Sequence, residues 1–227
     1  MKEIRVRLTF IEEILGTASG NPALHTEFIA SKAPDAETRE QEIAAVGASL
    51  VTEKTMTVFP RNEDGDEILW PYQVKGFMKS AQQTLNRIED KKSPLYLTAY
   101  KSKIDNLVFI KAVQDSWSGT GTGITIHYPD GVDESYDCER PLRAETAQGP
   151  RVALAHSETC PVGSWVEMDI KAKDNKLINN VTAWLDSGID YGIGQWRNSG
   201  KGRFVWELLD GELTDAKGHK VSGNKEK

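Results

Sequence analysis

Cysteine is scarce in this chain of 227 residues, which holds only Cys138 and Cys160. At most one bridge can form, so a disulfide scaffold is excluded and a reducing compartment fits best. Long apolar runs are missing too. None approaches the roughly 18 to 20 residues that span a bilayer, and the opening MKEIRVRLTF has neither a signal-peptide h-region nor a small-residue cleavage site. The expectation is a cytoplasmic protein without membrane contact. Tandem repeats and low-complexity linkers are likewise absent, which excludes a repeat architecture. What is present is 38% hydrophobic residues, enough to bury a full core as one large domain or two small ones.

Net positive charge is lacking as well, since the chain carries a formal −6. That total hides a partition. Residues 1–70 sum to −6, residues 71–111 to +5, residues 112–170 to −7 and residues 171–227 to +2. If the two basic blocks meet in the fold they form a local basic groove on an acidic body, and the local field decides what binds. If they do not, they are ordinary solvated surface charge.

The order of elements follows from periodicity. EIRVRLTF (3–10) alternates polar and apolar residues and reads as a half-buried strand. NPALHTEFIASK and PDAETREQEIAAVG read as short helices, the second with Asp35 at its N-cap and Gly47 as its stop. KTMTVFP and EILWPY flank RNEDGD, a hairpin signal. YQVKGFMKSAQQTLNRIED (72–90) is the strongest helix: Val74, Phe77, Met78, Ala81, Leu85 and Ile88 form one apolar stripe, with Lys75, Lys79, Gln82 and Asn86 on the polar side. LVFIKAV (107–113) is a strand that runs through the glycine-rich tip SGTGTG into ITIHYP, and GSWVEMDIKAK (163–173) is a clear alternating strand. Between them, SYDCERPLRAET and GPRVALAHSETC read as short strands or extended loops. LINNVTAWLDSGIDYG is a helix with Ile178, Val181, Trp184, Leu185 and, marginally, Ile189 inward, and RFVWELLDGEL closes the sheet. The order fits an α+β class of one or two ferredoxin-like units, each an antiparallel sheet with helices on one face. One domain over residues 1–213 is expected, with insertions at about 16–55 and 113–150 and a flexible polar tail from 214 to 227.

One stretch stands apart. GIGQWRNSGKGRFVW (192–206) packs glycines, tryptophans and cations between a helix and a strand. Gly192, Gly194, Gly200 and Gly202 free the backbone for close approach. Arg197, Lys201 and Arg203 add charge, and Trp196 adds a stacking face. The combination suits a phosphodiester strand; the competing reading is a glycine-rich hinge whose tryptophans belong to the core. A P-loop is excluded, because five residues separate Gly194 from Gly200 and Gly202 stands where Ser or Thr should hold Mg²⁺.

This stretch resembles the C-terminal glycine-rich loop and last strand of the RAMP superfamily, the repeat-associated proteins that bind CRISPR RNA. Gly192, Gly194, Arg197, Gly200, Gly202 and Arg203 match the family's pattern. ILWPYQVKGFMKSAQQ is similar to the family's segment with a Lys-Gly pair at the start of a helix, here Lys75 and Gly76, and HSETCPVGSWVEMDI is similar to its turn and strand around Glu158 and Gly163. The resemblance covers roughly residues 56–90 and 150–209. It implies a RAMP-type palm that binds single-stranded, guide-like RNA through its backbone without catalysis or cofactor. It also implies a homo-oligomer or a ribonucleoprotein subunit, with Lys75, Lys79 and the loop 192–203 on phosphate and sugar. The hairpin 113–128 would correspond to the thumb. The acidic, helical stretch after the first strand and PYQVKG in place of a small Ser-rich turn depart from the family. Such departures fit a stand-alone relative carried by a phage or prophage.

Two other readings remain. One is an interaction protein that inhibits or mimics a nucleic-acid complex through the acidic faces at 1–70 and 112–170. The other is a RAMP-type endoribonuclease, for which the resemblance offers His25 and Asp35. No metal site is expected. His127, Cys138, His156 and Cys160 are separated by 10, 17 and 3 residues, which matches no paired zinc spacing, so both thiols read as buried and structural. Asp64 and Asp66 lie in a turn that lacks the Glu of a calcium loop.

Overall fold

A computed structural model of the chain describes residues 2–19, 56–117, 123–146 and 149–224. In chain order these form β1 (Lys2–Phe10), β2 (Ile14–Leu15), β3 (Ala18–Ser19), β4 (Thr57–Val58), β5 (Ile68–Leu69), α1 (Pro71–Ile88) and α2 (Tyr100–Leu107). The second half contributes β6 (Val108–Ala112), β7 (Ile124–His127), β8 (Tyr136–Thr146), β9 (Gly149–Cys160), β10 (Trp165–Ala172) and α3 (Ile178–Asp186). It closes with β11 (Phe204–Asp210), β12 (Leu213–Thr214) and β13 (Lys220–Val221). The two helices expected before residue 50, with His25 and Asp35, lie outside the described residues.

The class is α+β, and the main sheet is antiparallel. Its order, β11-β1-β10 with β6 on the far edge of β10, is that of a ferredoxin-like unit with β1, β6, β10 and β11 as its four strands and α1 and α3 as its crossovers. Alternation fixes the register, because a slip of one residue would turn the buried face to solvent. Ile4, Val6, Leu8 and Phe10 of β1 are buried, while Arg5, Arg7 and Thr9 face outward. The inward set joins Val74, Phe77, Met78 and Ala81 of α1 and Val181, Trp184 and Leu185 of α3 in one core. Phe77 meets Phe204 edge-on at 5.0 Å, which ties α1 to β11 across it.

Pro71 opens α1, where its missing N–H loses no helical bond. Gln73 Oε1 accepts from Trp70 N–H at 2.7 Å, and its Nε2 donates to Thr17 at 2.7 Å. The helix start is thereby pinned to the segment after β2.

Several expectations change. Ile88 does not join the apolar stripe; it sits in the last turn of α1 and is exposed, as is Ile189. Gln82, expected on the polar side, is fully buried and is the hub of a network. It donates to Asn86 Oδ1 (2.7 Å) and Leu95 O (2.9 Å) and accepts from Asn180 Nδ2 (3.0 Å) and Trp184 Nε1 (2.7 Å). Strands β6 and β7 do not pair as a hairpin, since both pair with β10, one after the other along the same edge. The long hairpin is β8–β9, in register from Tyr136↔Thr159 to Thr146↔Gly149. Its β9 belongs to a second sheet with β2, β3 and β4. The expected tail is also structured up to Asn224. Strands β12 and β13 pair, Leu208 N–H donates to Ser222 O at 2.6 Å, and Asn224 exchanges hydrogen bonds with the Trp206 backbone at 2.8 and 3.0 Å. Buried backbone polarity that finds its partners explains why this polar segment packs.

Candidate nucleic-acid interface

The glycine-rich loop folds onto itself. Ile193 N–H donates to Gly202 O at 3.0 Å, and Gly202 N–H to Glu13 O at 2.8 Å. A Cβ at Gly192 would collide with the Lys201 carbonyl, and one at Gly202 with that of Ile193. These two glycines let the arms of the loop close on each other, and Ile193 is buried between them and the core. Gly194 (φ +90°) packs against the Leu15 carbonyl, and Gly200 (φ +84°) ends the single 3-10 turn Arg197–Ser199.

The loop's cations divide. Lys201 pairs with Glu13, and Arg203 with Glu12 at 2.9 Å. The hydrogen bond from Lys201, helped by one from Tyr136, holds the Glu13 carboxyl below its ordinary range. Arg197 is exposed, and its side chain has no hydrogen-bond or ion-pair partner among the described residues. Trp196 is partly exposed in a left-handed conformation, with the Arg140 guanidinium 4.9 Å from its ring centre.

The first half of α1 faces this loop. Tyr72, Gln73, Gly76 and Phe77 line a cleft of about 370 Å³ together with Thr17, Ile193, Gly194 and Arg197. Nothing lies within 4 Å of where a Cβ on Gly76 would stand, so that stretch of helix is open to close approach. Tyr72 is 68% exposed, one turn earlier on the same side. None of the lining residues is a His, Asp, Glu, Lys or Cys. Among the described residues, its lining therefore offers shape, stacking and one free cation, and no group that exchanges protons near neutral pH.

Lys75 and Lys79 turn toward α2. Lys79 pairs with Asp105 at 2.6 Å, and Lys75 donates to the Asp105 carbonyl at 3.2 Å. Burial pushes the Lys75 ammonium below its ordinary range, although Asp105 opposes it. Lys75 and Lys173 both lie over Phe109, 5.2 and 4.9 Å from its ring centre. The two basic blocks thus meet at Phe109, whereas at the cleft only Arg197 brings charge among the described residues.

A second cleft of about 500 Å³ lies at the base of the β8–β9 hairpin. There Arg61 bridges the buried Glu67 and Glu158, and Ser135 donates to both carboxylates at 3.2 and 2.9 Å. Each charge has its partner, and the cluster clamps the hairpin to the sheet. The one cluster of metal-ligating side chains among the described residues is Asp137, Glu139 and His156, exposed on the hairpin. His127, Cys138, His156 and Cys160 do not converge. Cys160 is buried, with its thiol pushed up by that burial, but Cys138 is only half-buried. Asn62 to Asp66 form the expected turn, closed by Asn62 Oδ1 accepting from Asp64 and Asp66 N–H at 3.0 and 2.8 Å.

Sequence reasoning singled out Gly76, Gly194 and Arg197 but missed Tyr72, Gln73 and Arg140. Tyr72 was discoverable, since it precedes Gly76 by four residues and so shares its helix face. Arg140 had no local signal.

No family model and no curated protein matches the sequence. Among solved structures, a chain in the cryo-EM structure of the Type III-B Cmr-beta complex bound to cognate target RNA is similar to it, with a TM-score of 0.48 and 10% identity. The match covers 95% of this chain and 62% of that one. No helix among the described residues is long and apolar enough to cross a membrane.

Proposed function

We propose that the chain binds single-stranded RNA by its backbone across the cleft between α1 and the glycine-rich loop. The observation that carries this reading is the meeting, on one open surface, of Gly76, the exposed ring of Tyr72 and the unpartnered Arg197, from segments more than a hundred residues apart in sequence. A phosphate runs close to the Gly76 backbone and against Arg197, while Tyr72 and Trp196 stack on bases. Lys79 extends the positive edge along α1, because an exposed pair such as Lys79–Asp105 is worth about 1 kcal/mol or less and exchanges readily for a phosphate. The choice of RNA follows the resemblance of roughly residues 56–90 and 150–209 to RAMP proteins.

Fluorescence anisotropy with labelled single-stranded RNA and DNA across a salt series tests the reading. Binding should weaken steeply with salt and show little sequence preference. Arg197→Ala should lower the slope of log affinity against log salt by about one. Tyr72→Ala should weaken binding about tenfold with the slope unchanged. A salt-independent affinity, or one that Arg197→Ala leaves intact, overturns the reading. A wild type that ignores RNA turns attention to a protein partner for the acidic faces.

A further inference from the structure

The root of the β8–β9 hairpin meets the glycine-rich loop at Arg140, and the meeting is chemically incomplete. Arg140 is only 8% exposed. Its Nη2 donates to Gln195 Oε1 at 2.9 Å, and its guanidinium carbon lies 4.9 Å from the Trp196 ring centre. Nε and Nη1 are buried with no acceptor, and no carboxylate pairs with the side chain among the described residues.

A guanidinium keeps its charge at any pH a protein meets. Out of water it needs a counter-charge or a full set of acceptors. The indole contributes a cation–π contact and the Gln195 amide one acceptor, but neither brings negative charge. Elsewhere the molecule supplies it: Lys111 has Asp169 at 2.5 Å, and Lys201 has Glu13. Trp196 adds a second peculiarity. It covers the guanidinium from a left-handed backbone conformation (φ 55°, ψ 30°) that a bulky residue rarely adopts.

We infer that Arg140, Gln195 and Trp196 form a phosphate-recognition site at the junction of hairpin and loop. An oxyanion accepts along one edge of the guanidinium, from a free donor (Nε–H or Nη1–H) and the Nη2 N–H that Gln195 leaves unused, and the Trp196 ring moves aside to admit it. The planar fork of donors matches two oxygens of a tetrahedral phosphate. Insofar as the phosphate is a phosphodiester, the inference rests on the RNA-binding reading; inorganic phosphate carries the same acceptors and separates the two.

The test uses Arg140→Met, which keeps the apolar stem and removes the charge. In phosphate-free buffer the variant should melt at or a few degrees above the wild type, because an uncompensated buried charge is gone. Inorganic phosphate, at constant ionic strength, should raise the melting temperature of the wild type and not of the variant. With labelled single-stranded RNA, Arg140→Met should weaken binding about tenfold and lower the salt slope by about one. If Arg197→Ala weakens RNA binding while Arg140→Met changes neither affinity nor slope, the site is overturned and the RNA reading stands. If the wild type ignores RNA but phosphate stabilises it through Arg140, the site stands and the RNA reading falls. A variant that melts far below the wild type without phosphate, or no Arg140-dependent response to either ligand, overturns the inference.

Discussion

The outer face of the main sheet and the junction of loop and hairpin both carry several cations, but they treat them differently. On the sheet, Arg5 and Lys111 share Asp169 at 2.8 and 2.5 Å, Arg7 meets Glu167 at 2.5 Å, and Lys171 lies 3.8 Å from Glu3. Aromatic faces there are filled as well: Trp165 has His127 stacked at 4.0 Å and Arg7 at 4.4 Å. At the junction, Lys201 and Arg203 are paired with Glu13 and Glu12, whereas Arg140 and Arg197 have no carboxylate partner among the described residues. A cation with a carboxylate beside it is part of the fold. One left without is available to something outside it, and position in the sequence does not distinguish the two kinds.

The largest effect expected from breaking this contrast lies on the sheet. Asp169→Ala leaves Arg5 and Lys111 without their shared partner and should destabilise the protein by about 3 kcal/mol in urea unfolding. Burial resists the charge of Asp169, but hydrogen bonds from Arg5 and Lys111 outweigh it and hold the carboxyl below its ordinary range. A carboxyl with a depressed folded pKa stabilises above its unfolded value and loses that contribution as pH falls through the folded one. Wild-type stability should therefore drop on acidification below about pH 4, near the unperturbed Asp value, and Asp169→Ala should flatten that drop.

A smaller effect separates the two kinds of loop cation. Arg203→Ala removes a half-exposed pair with Glu12 and should lower stability by about 0.5 to 1 kcal/mol. Arg197→Ala should stay within about 0.5 kcal/mol of the wild type. Equal losses in chemical denaturation would erase the distinction.

The smallest effect is a pair of titrations. A hydrogen bond to Asp137, with Glu139 nearby, raises the His156 imidazole, whereas burial lowers that of His127 against the pull of Glu167. Nuclear magnetic resonance should find the midpoint of His156 above that of His127, and Asp137→Asn should draw His156 back toward about 6.5. Because the folded value is raised, the contribution of His156 to stability is complete below the unfolded pKa and lost as pH rises through the folded one.

Much of the fold was legible because its elements obey one period each. The alternation of β1 and β10 and the apolar stripe of α1 allowed their inward faces to be read directly. The β8–β9 hairpin was not legible as such. Pro141 and Pro150, together with the charges of Asp137, Glu139, Arg143 and Glu145 on β8, blur its period, and its pairing partner is its own return strand rather than a patterned core. Gln82 looked like a surface residue because a helix wheel ranks polarity, whereas Asn180 and Trp184, about a hundred residues later, supply the partners that permit its burial. For the site, the glycines announced close approach but not to what. Gly192 and Gly202 approach each other's strand of the loop, whereas Gly76 opens onto solvent.

The sheet order carries a consequence for synthesis. Strand β1 occupies the centre, but its two neighbours, β10 and β11, begin only at residues 165 and 204. At roughly 5 to 20 residues per second on a ribosome, β1 must wait on the order of ten seconds or more with both edges bare. Closing so many distant pairs makes folding slow relative to helical chains of this size. The charges of Arg5 and Arg7, set between the inward Ile4, Val6 and Leu8 of β1, then have a second use: they discourage other nascent chains from pairing with it first.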